Sequence, residues 1–275
     1  MAGRSIVLVH GLFMTRACWA PWVQRYEALG HRCLAIEYPE RERPVAELRA
    51  RHPDAATARV ELAQVLERHV EAIRALPQPP IVMGHSFGGL LTQLLLQRGL
   101  GACGVAIDSV PPAGLVSWEL SFWRSMTPVL GPLLPASRPY LMSPAHFAYT
   151  FVNTLPAHEQ RREYEAFVVP ESRRLARAAL SRAARVDYAR ARPPLLFIAG
   201  ELDHIIPASL NRANAARYRR SPARTDFRQF PGRTHHILGQ PGWEEVADFA
   251  LAWALEHAGE DASRAAAVAG AGAGD

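Results

Sequence analysis

Lysine is absent from the 275 residues, so the 31 basic groups that face 26 carboxylates are all arginine. Such a one-sided choice follows more simply from GC-rich coding than from phosphate binding. No arginine cluster is interleaved with aromatics as a nucleic-acid platform requires, so the net charge of +5 points to no nucleic-acid partner. Cysteine is scarce as well. Cys18, Cys33 and Cys103 are odd in number and widely spaced, which excludes a disulfide framework and a zinc site and leaves buried free thiols as the expectation. No apolar run is long enough to cross a bilayer, and the N-terminal run at residues 6–9 stops at His10-Gly11, too short for a secretory core. The expectation is a cytoplasmic protein that does not engage membranes. There is no internal repeat, and the sequence gives no indication of oligomeric state.

What is present suits a single large domain, since 49% of the residues are hydrophobic. Short β-type runs at residues 5–9, 33–37, 80–83, 103–107, 195–199 and 226–230 alternate with longer helical stretches, which predicts an α/β fold with a mainly parallel, doubly wound sheet. Residues 55–76 read as one amphipathic helix ended by Pro77, and residues 243–257 as the last helix. Residues 111–185 break the alternation with prolines, aromatics and helical stretches but no buried strand. They read as a helical lid inserted between core segments 1–110 and 186–260, and residues 261–275 as a low-complexity, disordered tail.

The chemistry centres on Gly84-His85-Ser86-Phe87-Gly88-Gly89, which follows a buried strand and opens a helix. A serine with glycine two residues away on either side fits a turn so tight that only residues without side chains let strand and helix pack, which pushes the Ser86 hydroxyl outwards. A serine hydroxyl is a weak nucleophile and needs a base, and that base needs an orienting group. Asp203 follows the strand at 195–199, and His235 follows the strand at 226–230, so both lie at the carboxyl edge where functional groups of such sheets gather. Glu201 and Asp108 compete with Asp203 for the acid, Asp108 also ending a strand. His236 competes with His235, because adjacent side chains in an extended loop point in different directions. A metal site on this pair lacks a third ligand at regular spacing, and no cofactor is expected.

With these elements in the order Ser86, Asp203, His235, the sequence resembles the α/β-hydrolase superfamily, in its compact, lid-bearing, esterase-like branch. The resemblance covers residues 5–109 and 193–257. It implies that Ser86 is the nucleophile, His235 the base in a Gly-x-x-His loop, and Asp203 the acid. The Phe87 amide is then one oxyanion donor, and the His10-Gly11 loop supplies the other, from Leu12 or, second, Phe13. His10 is expected to hold that loop. Only four residues precede the first strand, so the antiparallel strands of larger members are expected to be missing. The implied activity is a serine hydrolase acting on an apolar carboxylic ester or related acyl substrate. The same fold also supports perhydrolysis, lyase, cyclase and carbon–carbon cleavage chemistry, or ligand binding without turnover.

Overall fold

Strands form where apolar residues run continuously, because a sheet covered on both faces needs no polar alternation. Six do so in the computed structural model, which describes residues 4–258. They are β1 (Ser5–Val9), β2 (Arg32–Ile36), β3 (Ile81–His85), β4 (Cys103–Ile107), β5 (Leu195–Gly200) and β6 (Thr225–Phe230). Every residue of β3, β4 and β5 is buried, whereas β2 and β6 are partly exposed as edge strands are. The order is β2-β1-β3-β4-β5-β6, with each pairing parallel. β1 and β3 are neighbours whose chains leave in opposite directions, which opens a crevice at their carboxyl ends.

Successive side chains of a strand point to opposite faces, and the two cores divide accordingly. Val7, Val9 and Val82 join the core beneath the helices Leu62–Arg74 and Phe87–Leu96. Ile6, Leu8, Ile81 and Met83 join the core beneath Ala20–Ala28 and Trp243–His257. Each such aliphatic side chain contributes roughly 1.5–3 kcal/mol when fully buried, and together they fix the strand ends that carry the site.

Two readings of the sequence are corrected. Residues 55–76 are two helices, Ala55–Arg59 and Leu62–Arg74, because Val60 is extended and Glu61 starts the second helix through a capping box with Gln64. Of the thiols only Cys103 is buried, while Cys18 and Cys33 are half-buried. Between β4 and β5 the described residues contain helices Leu120–Leu130, Pro144–Thr150, Ala157–Phe167 and Arg173–Ala178 and no strand beyond a Tyr140–Glu171 bridge. No helix among the described residues is long and apolar enough to cross a membrane. The tail read at residues 261–275 lies outside the described residues.

Candidate active site

The elbow after β3 is held by close backbone approach. A Cβ at Gly84 would lie 2.0 Å from the Gly88 carbonyl oxygen, and one at Gly88 would lie 2.1 Å from that of Val9, so neither position admits a side chain. Ser86 is forced to φ 56° and ψ −118°, a conformation that costs about 1–3 kcal/mol for a residue other than glycine. Its backbone restrains it: the amide donates to Ile107 at 2.8 Å, and the carbonyl accepts from Gly89 at 2.9 Å and Val110 at 3.0 Å. Phe13 and Asp108, at the ends of β1 and β4, also have positive φ, so strain gathers around this edge.

His235 lies in the loop after β6 and Asp203 in the loop after β5, and the structure joins them. The Asp203 Oδ2 accepts from His235 Nδ1 at 2.7 Å, with both side chains wholly buried. The other oxygen of Asp203 accepts the amides of Ile205 at 2.7 Å and Ile206 at 2.9 Å, so the residue is both a turn-former and the partner of the imidazole. Burial raises its pKa above the usual carboxylate range, while those amides pull it back. Burial likewise pushes the His235 imidazole down to about 3, keeping it neutral. Its Nε2 has no hydrogen-bond partner among the described residues, an uncommon condition for a buried nitrogen but the one a waiting base requires.

Ser86 makes no hydrogen bond to that nitrogen, and the link between elbow and histidine loop runs through His85. Its Nε2 donates to the His235 carbonyl at 2.9 Å, and the two rings lie 4.7 Å apart between centroids. The competing acids are placed elsewhere. Asp108 Oδ1 accepts the Gly200 amide at 2.7 Å, and Glu201 Oε2 accepts that of Gly232 at 2.9 Å. Asp108 Oδ2 is buried without a hydrogen-bond partner among the described residues, and burial, with the charge of Asp203, raises the pKa of this carboxyl. Side-chain atoms of His85, Asp108 and His235 approach one another within 4.8 Å, but His85 Nε2 and His235 Nδ1 are already committed to the bonds above.

His236 meets a different partner from His235, its Nε2 lying 3.2 Å from Glu163 Oε2. In the loop after β1, the His10 ring is fixed by the Gly11 carbonyl at 2.8 Å, by Glu37 at 2.9 Å and by a tilted contact with the Tyr38 ring. The Phe13 amide is already donated to Glu171 Oε2 at 3.1 Å, whereas the Leu12 amide finds no acceptor among the described residues. The Phe87 amide opens its helix, where the first N–H groups have no intrahelical acceptor and the dipole favours an anion. Glu171 also pairs with Arg41 at 2.6 Å, and both are buried. Neither was singled out from the sequence, where a lone acid and a lone arginine 130 positions apart leave no pattern.

Residues 6–249 match the family model described as the alpha/beta hydrolase family, and the chain belongs to that family. No curated protein matches the sequence. Among solved structures it is similar to polyneuridine aldehyde esterase, at 16% identity and a TM-score of 0.66 over 92% of this chain and 99% of that one. Tomato methylketone synthase I complexed with 2-tridecanone is similar at 17% identity and 0.67, over 94% and 100%. The monoacylglycerol lipase of Paleococcus ferrophilus is similar at 18% identity and 0.63, over 92% and 94%. At such identities the likeness is one of fold.

Proposed function

We propose that the protein is a serine hydrolase that cleaves a carboxylic ester or related acyl bond through an acyl-enzyme. The observation that carries this reading is the buried 2.7 Å bond between Asp203 and His235 on the loop edge that also bears Ser86. His235 Nε2 takes the Ser86 proton as Oγ attacks the acyl carbon, and then delivers it to the leaving oxygen. Water, activated by the same nitrogen, hydrolyses the acyl-enzyme and restores Ser86. Asp203 holds the imidazole in the tautomer with its proton on Nδ1 and stabilises the imidazolium that forms. The amides of Leu12 and Phe87 receive the oxyanion, each worth about 3 kcal/mol in comparable sites.

Residues 111–185 act in this reading as a lid. A cavity beside Leu12 and Phe87 is walled by Leu115, Phe122, Met126 and Ile206, all apolar, which suits an acyl chain. Its volume of about 40 Å³ is small for an acyl chain, so in this reading the lid helices move before one enters. The test is turnover of 4-nitrophenyl esters of increasing acyl length by the purified protein beside Ser86→Ala. Hydrolysis that disappears in the variant supports the reading, and no hydrolysis by folded protein refutes it.

A further inference from the structure

A second cavity, of about 200 Å³, lies against His235 and His236. Its walls include Met14, Phe151, Phe167 and Trp243, and its polar lining, besides His85, His235 and Cys18, is the His236 imidazole and the Glu163 carboxylate. Resting on the hydrolase reading above, we propose that this cavity holds the leaving alcohol and that Glu163 and His236 together bind a second hydroxyl on it. Esters of diols and polyols are then preferred to esters of simple alkanols.

The assignment of sides follows from the reaction. The leaving oxygen must face His235 Nε2 to receive its proton, while the oxyanion must face Leu12 and Phe87. His235 lines the 200 Å³ cavity and not the smaller one, and Leu12 and Phe87 line the smaller one and not this. The leaving group therefore occupies the first and the acyl chain the second. The kind of leaving group follows from the polar pair. His236 is 7% exposed, and its ring fills the space that a side chain at Gly239 would need. Its Nε2 lies 3.2 Å from Glu163 Oε2, close enough for the two to attract, but makes no aligned hydrogen bond among the described residues. Glu163 Oε1 is held by Arg162 at 3.1 Å, which leaves Oε2 turned to the imidazole. A hydroxyl both accepts from an imidazole N–H and donates to a carboxylate, and so completes both atoms. A carboxylate on the leaving group would be repelled by Glu163, and an alkyl group would offer the His236–Glu163 pair no hydrogen bond.

The test compares kcat/KM for 2-hydroxyethyl butyrate and propyl butyrate, followed by acid release, in the parent protein, Glu163→Leu and Glu163→Gln. The parent is expected to prefer the hydroxyethyl ester by about tenfold, as one charge-assisted hydrogen bond allows. Glu163→Leu should bring the ratio close to one, and Glu163→Gln to an intermediate value. Because a ratio is independent of the fraction of active protein, partial unfolding cannot produce this result. A parent ratio near one, or a tenfold ratio that persists in Glu163→Leu, overturns the proposal. Absence of turnover with both esters and with 4-nitrophenyl butyrate contradicts instead the hydrolase reading on which it rests.

Discussion

The carboxylate of Glu171 accepts the backbone amide of Phe13 at 3.1 Å, joining residues 158 positions apart beneath the surface. Its other oxygen is bound by Arg41 at 2.6 Å, and Arg41 in turn donates to the Met14 carbonyl at 2.9 Å. The pair thus grips the loop after β1 from both sides and stabilises Phe13 at φ 65°. In the proposed mechanism it also takes the Phe13 amide out of competition for the oxyanion, which then falls to that of Leu12. Glu171→Gln keeps an acceptor for Phe13 but leaves Arg41 without its counter-charge. Steady-state kinetics should show kcat reduced about 10- to 100-fold with KM within a few-fold, the pattern of a misplaced oxyanion donor. Glu171→Ala should also lose about 3–5 kcal/mol of stability in a urea titration.

Asp203 and Asp108 both end strands, but only Asp203 reaches His235 Nδ1. Asp203→Asn should lower ester turnover by up to about ten-thousandfold through the wrong imidazole tautomer. Asp108→Asn should lower it by less than about tenfold. The reverse ranking would move the orienting role to Asp108.

The adjacent histidines are separated by the same logic. His235→Ala should abolish phosphonylation of Ser86 by a fluorophosphonate. His236→Ala should slow it by less than tenfold, because its imidazole faces Glu163. Time courses of labelling distinguish the two.

His69 provides a pH test of the core. Burial pushes its imidazole down to about 4 from an ordinary 6.5, with the Val65 carbonyl opposing that shift. The unfolded chain therefore binds a proton that the folded chain refuses. This contribution to stability is fully present above pH 6.5 and is lost as pH falls towards 4, to a total of about 3 kcal/mol. His69→Gln should reduce the difference between urea midpoints measured at pH 7 and pH 4.5. An unchanged difference would contradict the assignment.

Much of this was legible in the sequence because the signals are local. Continuous apolar runs mark β3, β4 and β5, and Gly84 and Gly88 mark a turn whose backbone leaves no room for side chains at these positions. The position of Asp203 and His235 after successive strands followed from the same runs. The break at Val60 was not read, since Glu61 is a weaker capping residue than serine or threonine. Asp203 was chosen over Asp108 on chain order and resemblance, while its contact with His235 depends on side-chain direction, which strand position alone does not give. Glu171 and Arg41 were invisible, because a buried ion pair between distant segments has no periodicity and sequence composition treats both residues as surface groups.

The central claim is that Ser86 is a nucleophile activated by the buried Asp203–His235 pair. It is tested most directly by intact-protein and peptide mass spectrometry after exposure to a fluorophosphonate at neutral pH. The account predicts a single phosphonyl adduct, located on Ser86, in the parent protein and none in Ser86→Ala or His235→Ala. A folded parent protein that acquires no adduct, or acquires it at another residue, would contradict it.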